Sequence, residues 1–180
     1  MRWPGSSKAL VTAVCESRLA FALARLPIRD PSLDVLTVMS ERLRAVVPAD
    51  RFAGRDSLAL QDLSDLCFVV APNEVRSAYY DQLDREMFER GIRKRIMLTD
   101  AGYGGIAETV SSGMAFHFAM LDPDSPIHGY ALANTEVLPF TDFEAPLETA
   151  LIWRRERASG GDLDELIEAA REVFADPIHV

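Results

Sequence analysis

Two short apolar runs flank a turn-rich bridge within Arg42–Pro72, and they predict two buried strands. The first run extends from Leu43 to Val47 and ends at Pro48. The second extends from Cys67 to Ala71 and ends at Pro72. Such runs, rich in β-branched and aromatic residues and bounded by turn residues, are typical of strands that are buried on both faces. The bridge is rich in Pro, Gly, Asp and Ser, which turn the chain or cap a short helix.

Four segments of the chain are predicted to be helices, and apolar residues recur at helical spacing in all of them except the short third one. These are Ser7–Ser17, Glu74–Arg90, Ile106–Ser112 and the segment that follows Asp162. Ser6 or Ser7 is suited to cap the first helix, and Asn73 is suited to cap the second. Asp162 with Glu165 resembles a capping box for the last helix.

Further short apolar segments predict strands between these helices. They are Leu19–Leu26, Val35–Met39, Ile92–Thr99, Met114–Leu121, Val137–Phe140 and Leu147–Arg154. We expect Leu19–Leu26 to be a buried strand. Strands that alternate with helices are typical of an α/β fold with a mostly parallel sheet. In such sheets, ligands bind beyond the carboxyl ends of the strands, next to helix N-termini. This rule selects Arg25–Ile28, Ala71–Glu74 and Asp100–Gly105.

The charge balance argues against a protein that binds nucleic acid by itself. The 180 residues include 28 acidic and 19 basic side chains, which gives a net charge of -9. Contacts with phosphates need clustered Lys and Arg, whereas the basic residues of Arg90–Arg95 have acidic neighbours. The sequence therefore favours a protein that does not contact DNA directly.

The two cysteines, Cys15 and Cys67, lie in apolar stretches. This placement is typical of buried thiols in a reducing cytosol, and it does not suggest a disulfide framework. No apolar run is long enough to cross a membrane, and the first residues do not form a secretory leader. We therefore expect a cytoplasmic protein without a membrane partner.

Three segments together resemble the effector domains of LysR-type transcriptional regulators. The bridge Pro48–Ser57 and the following Leu58–Leu63 are similar to the "P-x-x-H-P-L-A" and "v-x-l-x-D-L" segments of that family, although Arg51-Phe52-Ala53 replaces His-Pro-Leu. Ser17–Ile28 is similar to "G-r-l-D-l-A-l-v-R-l-P-i", with Ala20 in place of the Asp. Leu147–Arg155 is similar to the closing "l-x-L-x-W-R-R-d".

The resemblance implies a two-lobed α/β fold of the periplasmic-binding-protein type II, truncated at the N-terminus. Residues 1–48 and 140–180 would form an incomplete first lobe, and residues 49–139 the second. The N-terminal DNA-binding domain and the first strand of the effector domain would be absent. The implied function is non-catalytic, without a cofactor: binding of a small organic effector that regulates transcription. The partners would be a second copy or an intact regulator.

The family's cleft is lined by the same strand ends that the general rule selects. The resemblance therefore implies eight effector-binding residues: Arg25, Pro27, Pro72, Asn73, Asp100, Gly102, Tyr103 and Gly104. The Arg25 side chain and backbone amides near Asn73 and Gly104 would hold an anion. The carboxylate of Asp100 would oppose one, so the charge of the effector stays open.

Two other functions are kept as alternatives. One is a dimerisation or interaction module that binds no ligand and uses Ser7–Leu26 and Glu74–Leu98. The other is a nucleotide-binding enzyme, because Gly102–Ala107 matches G-x-G-x-x-A after a strand and at the start of a helix. The histidines are scattered without metal-ligand spacing, so we expect no metal site. His117 lies inside an apolar strand, which favours a core or cleft residue over a catalyst.

Overall fold

A computed structural model describes residues 6–70, 78–98, 103–119, 134–144, 146–156 and 161–179. In chain order the elements are α1 (Ser7–Cys15), β1 (Phe21–Arg25), β2 (Leu33–Arg42), β3 (Arg44–Pro48), α2 (Ala49–Phe52), a 3-10 turn (Leu60–Leu63), β4 (Cys67–Val70), α3 (Ala78–Glu89), β5 (Arg95–Met97), α4 (Tyr103–Ser111), β6 (Ala115–Ala119), β7 (Thr135–Leu138), β8 (Pro146–Arg154), α5 (Asp162–Val173) and β9 (Ile178–His179).

The chain divides into two compact units, each with its own sheet. Unit 1 consists of Met1–Glu41, Ser77–Tyr79 and Leu147–Val180, and unit 2 consists of Arg42–Arg76 and Tyr80–Pro146. The lobe boundaries predicted from the sequence are similar in outline, and they stay a prediction.

Unit 1 contains a four-stranded sheet in the order β1-β8-β2-β9, with helices over both faces. Ala22 and Ala24 of β1 share one apolar cluster with Val14 of α1. On the opposite face, Trp153 of β8 packs with Ile167 of α5. Side chains of a strand alternate between the two faces, so β8 contributes Ala150 and Ile152 to the first cluster and Leu151 and Trp153 to the second.

Unit 2 contains a five-stranded sheet in the order β5-β4-β6-β3-β7. A group of stacked and edge-on phenylalanine rings forms part of its core. Phe118 of β6 lies at the centre of this group, with ring centroids 5.3 Å from Phe68, 5.7 Å from Phe116, 5.4 Å from Phe140 and 5.9 Å from Phe143. Offset and edge-on aromatic pairs at such distances are favourable beyond the area that they bury.

The expectation of mostly parallel sheets is wrong, because both sheets are mixed. Pairs β4–β5 and β4–β6 are parallel, as is β2–β9, whereas β1–β8, β3–β6 and β3–β7 are antiparallel. Parallel pairing requires a crossover connection, and β5 and β6 each follow a helix that provides one. Only Leu43 separates β2 from β3, so β3 enters its sheet without such a crossover.

The expectation that Leu19–Leu26 is a buried strand is also wrong for half of its side chains. Phe21 is 42% exposed and Leu23 is 55% exposed, whereas Ala22 and Ala24 are buried. Among the described residues, α1 packs on the face of β1 that carries Ala22 and Ala24, whereas Phe21 and Leu23 belong to the opposite face.

The predicted helix caps have different outcomes. Ser6 caps α1, since its hydroxyl oxygen accepts a hydrogen bond from the Ala9 amide at 3.3 Å. The capping box expected at Asp162 is wrong, because Gly161 is the N-cap of α5 and has no side chain to cap with. The backbone of Gly161 has φ of +93°, which favours glycine, and Asp162 instead opens an acidic first turn that suits the helix dipole.

The Phe118 ring provides a direct test of the unit 2 core. We expect Phe118→Ala to lower the free energy of unfolding by about 3–5 kcal/mol, since it removes a ring that four others contact. Urea unfolding measures the change. Phe88→Ala, at an exposed site, is the matched control and should cost about 0.5 kcal/mol or less. Equal costs for the two variants would contradict this description of the core.

Candidate effector site

The carboxyl ends of three strands lie along one edge of the unit 2 sheet. Strands β4, β5 and β6 run parallel, so Val70, Met97 and Ala119 end at the same side of the sheet. Helix α4 begins at Tyr103, after β5. The first amides of a helix have no partner within it and carry a partial positive charge, which suits an anionic or polar ligand group.

Tyr103 and Gly104, both predicted site residues, are the first two residues of α4. The helix predicted over Ile106–Ser112 therefore begins earlier than expected. In its first turn, the Gly105 carbonyl accepts a hydrogen bond from the Thr109 hydroxyl at 2.7 Å. Pro72, Asn73, Asp100 and Gly102 lie outside the described residues, so their roles stay predictions.

Arg25 and Pro27 are predicted site residues of unit 1. The Arg25 guanidinium donates to the Glu41 carboxylate and to the Thr149 hydroxyl. Its backbone N–H donates to the Ser7 hydroxyl oxygen at 3.0 Å, and Pro27 follows in a cis peptide after Leu26. The Glu41 carboxylate balances the Arg25 charge, which reduces the attraction that this guanidinium has for an anionic effector.

Glu41 and Thr149 form part of this arrangement, and no sequence motif points to either residue. Their positions in the paired strands bring them to Arg25. Arg25 stands opposite Thr149 in the antiparallel pair β1–β8, and Glu41 lies near the end of β2. These relationships are visible only when the strand pairing is known.

His117 is a half-buried residue of β6 in unit 2. Burial lowers the pKa of His117 to about 4, although a hydrogen bond with the Val69 main chain acts in the opposite direction. Its Nδ1 atom is buried and has no hydrogen-bond partner among the described residues. The imidazole is therefore neutral near pH 7, as suits a core or cleft residue.

Cys15 is a protonated thiol in unit 1. Burial raises the pKa of the Cys15 thiol, and a hydrogen bond from its sulfur to Asp30 Oδ2 at 3.4 Å raises it further. Bonds from the Ser32 hydroxyl and amide hold the pKa of Asp30 below its usual range. A thiol with a raised pKa is a poor nucleophile and a poor metal ligand.

Within the described residues, no three His, Cys, Asp or Glu side chains form a cluster that could hold a metal ion. No helix in this part of the chain has the length and apolar character that crossing a membrane requires.

Comparison with known families identifies the domain. A family model described as the LysR substrate binding domain matches residues 4–175. The chain belongs to this family. The fold class predicted from the sequence is thereby confirmed, because solved effector-binding domains of LysR regulators share the mixed α/β architecture.

Two curated relatives are regulators of bacterial transcription. The chain is 24% identical over 165 residues to the HTH-type transcriptional regulator YwbI of Bacillus subtilis. The aligned region covers 91% of this chain and 53% of YwbI. It is also 27% identical over 169 residues to the HTH-type transcriptional regulator ShiR of Corynebacterium glutamicum. This alignment covers 87% of this chain and 52% of ShiR. The chain thus spans about half the length of these relatives.

Two solved structures have a similar fold. The effector-binding domain of QuiR in complex with shikimate superposes with a TM-score of 0.75 at 17% identity, over 97% of this chain and 81% of QuiR's. The effector-binding domain of BenM with benzoate gives a TM-score of 0.72 at 19% identity, over 96% and 77% of the two chains.

The Arg25–Glu41 pair predicts non-additive stability effects. Either Arg25→Met or Glu41→Gln should lower the free energy of unfolding by about 1–2 kcal/mol, because each leaves a half-buried group without its partner. The double variant should cost less than the sum, since no unpaired charge remains. Urea unfolding of all four proteins measures this coupling, and strict additivity would show that the pair does not stabilise unit 1.

The lowered pKa of His117 predicts a dependence of stability on pH. Between about pH 6.5 and pH 4 the unfolded chain binds a proton that the folded imidazole does not bind. The free energy of unfolding should therefore fall as the pH falls through this window, with about 3 kcal/mol from His117.

His117→Gln tests this dependence, because glutamine retains an N–H donor but has no proton to bind. Urea unfolding at several pH values should show a weaker loss of stability for this variant than for the parent protein. His179→Gln, at an exposed position of β9, is the control and should leave the loss unchanged. If the free energy of unfolding of His117→Gln falls between pH 6.5 and pH 4 as much as that of the parent protein, the pKa of His117 is not lowered by burial.

Proposed function

We propose that this chain is the effector-binding part of a LysR-type transcription regulator and that it binds a small organic molecule without transforming it. The observation that carries the proposal is the family match over residues 4–175. It is supported by two complexes of similar fold, QuiR with shikimate and BenM with benzoate. Both of these compounds are carboxylates at neutral pH, so a carboxylate is our first candidate effector.

The start of α4 supports the binding of a carboxylate in unit 2. Its first amides follow the carboxyl end of β5, and helix N-termini favour negative charge. We propose Tyr103 and Gly104, together with Pro72, Asn73, Asp100 and Gly102, as the unit 2 contacts. Arg25 and Pro27 are the proposed contacts of unit 1, with residues 1–48 and 140–180 as one lobe and 49–139 as the other.

A regulatory rather than enzymatic role is consistent with the described side chains. Cys15 is held as a thiol, and His117 has a lowered pKa and is neutral near pH 7, so neither is prepared for catalysis. The net charge of -9 supports contact with DNA through another part of a regulator. Two free thiols suit a cytoplasmic location, which we also propose.

Association with a second copy or with an intact regulator is a further part of the proposal. Exposed apolar side chains support it. Phe21 and Leu23 lie in the stretch Ser7–Leu26, and Phe88 and Met97 lie in Glu74–Leu98. Apolar side chains in exposed positions are candidates for contact with a partner.

Calorimetric titration tests effector binding. We expect at least one acid from a panel that includes shikimate, benzoate and aliphatic carboxylates to bind, whereas benzamide, which lacks the charge of benzoate, should bind more weakly. Failure of every acid on a protein that is folded by circular dichroism would remove the main support for effector binding.

A charge change at the start of α4 tests the location of the site. Gly104→Glu should weaken binding of a carboxylate at least about tenfold, which is about 1.4 kcal/mol, because it adds a negative charge beside the helix amides. The fold should persist, since acidic residues suit a first helical turn. Ala9→Glu adds the same charge to the exposed first turn of α1 and should bind normally. Equal affinity in both variants would place the site elsewhere.

A further inference from the structure

Arg44 stands at the edge of the unit 2 sheet where the three parallel strands end. It is the first residue of β3, which runs antiparallel to β6, and it lies opposite Ala119, the last residue of β6. Its position therefore belongs to the same edge as the carboxyl ends of β4, β5 and β6 and the start of α4.

The side chain of Arg44 projects from the face of the sheet that lacks the phenylalanine rings. Residues directly opposite each other in an antiparallel pair share a face, and successive residues of a strand alternate between the faces. Ala45 stands opposite Phe118, the central ring of the phenylalanine group. Arg44, the neighbour of Ala45 in the strand, therefore lies on the opposite face.

Helix α4 covers that opposite face. Helix α3 lies on the ring face, since its Asp84 pairs with Arg95, whose guanidinium carbon is 5.5 Å from the centroid of the Phe68 ring. The chain passes through α3 from β4 to β5, and through α4 from β5 back to β6 on the other side of β4. Right-handed crossovers in opposite directions place their helices on opposite faces. Because α4 packs against both β3 and β6, Arg44 lies on the face and at the edge where α4 begins.

Arg44 is half-buried, yet its guanidinium has neither an ion pair nor a hydrogen bond with a described residue. A guanidinium that has lost part of its hydration costs free energy unless hydrogen-bond acceptors replace the water. The other three half-buried arginines in the described part of the chain each have such an acceptor: Glu41 for Arg25, Asp84 for Arg95 and the Ser17 hydroxyl for Arg154.

A carboxylate is the group that best fits this place. A guanidinium donates two parallel N–H groups to the two oxygens of a carboxylate, and such charge-assisted bonds are about twice as strong as neutral ones. The first amides of α4 add further donors and a partial positive charge, and the first turn of α4 contains no acidic residue.

We propose that Arg44 holds the carboxylate of the effector, together with the amides that open α4. This inference rests on the proposed function, and it names the residue that distinguishes an acid from its uncharged analogue. The guanidinium of Arg25 is occupied by Glu41, whereas that of Arg44 is available to a ligand.

A binding role for Arg44 also predicts the behaviour of the chain without an effector. Arg44→Met removes a half-buried charge without depriving a described residue of its partner, and methionine retains an apolar stem of similar length. The variant should therefore unfold at the same urea concentration as the parent chain or at a higher one.

Calorimetric titration with the same panel of benzoate, shikimate and aliphatic carboxylates, each beside its uncharged amide, tests the binding role. Arg44→Met should raise the dissociation constant of each acid that binds at least about tenfold and should leave that of its amide unchanged. Arg44→Lys keeps the charge but loses the paired geometry, so its affinity for the acid should lie between those of the parent chain and Arg44→Met.

Arg51→Met is the matched control. It removes an equal charge from an exposed position of α2, beyond the other end of β3, and it should bind the acids like the parent chain.

The outcomes separate this inference from the proposed function. Failure of every acid on the folded parent chain overturns the two together. An acid that binds the parent chain and Arg44→Met equally overturns only the inference. Equal weakening of the acid and its amide also overturns it, because that result would show a structural role for Arg44.

If Arg44→Met fails to fold by circular dichroism, Arg44→Lys takes its place. A loss of at least about threefold in affinity for the acid, with no change for the amide, supports the inference. An affinity for the acid equal to that of the parent chain overturns it.

Discussion

The packing of unit 1 depends on β8, whose side chains contribute to the apolar clusters on both faces of the sheet. Strand β8 sends Ala150 and Ile152 towards α1 and sends Leu151 and Trp153 towards α5. A shift of its register by one residue would exchange these two sets and destroy both clusters. The same strand sets Thr149 opposite Arg25, so the packing of the core also fixes the polar contacts at the end of β1.

The sequence predicts elements well where burial on both faces leaves a continuous apolar run. The two runs that end at Pro48 and Pro72 correspond to β3 and β4, and the described residues of both strands lie largely in the core. Helix α1 was found because its capping serine and its apolar spacing agree. The two-lobed fold class was predicted from the segments that resemble LysR effector domains, because the pattern of a single strand does not indicate the fold to which the strand belongs.

Strand direction and exposure were not predictable in the same way. An apolar run indicates that a strand tends to be buried, but it does not indicate which strands and helices pack against it. Leu19–Leu26 looks buried by composition, and yet Phe21 and Leu23 are exposed, because the described helix α1 packs on the other face of β1. The partners of Arg25 were missed for a related reason: Glu41 and Thr149 are far from it in the chain, and only pairing brings them together.

Arg25 illustrates how one residue connects these levels. As a sequence feature it is a cation at the end of a strand, which suggests a contact for an anion. In the folded unit its guanidinium is occupied by Glu41 and Thr149, and its amide is occupied by Ser7. An effector that used the guanidinium would have to compete with a carboxylate already in place. The first turn of α4 contains no acidic residue, although Asp100 precedes it in the sequence, and its amides are therefore the candidate that we propose for holding an anion.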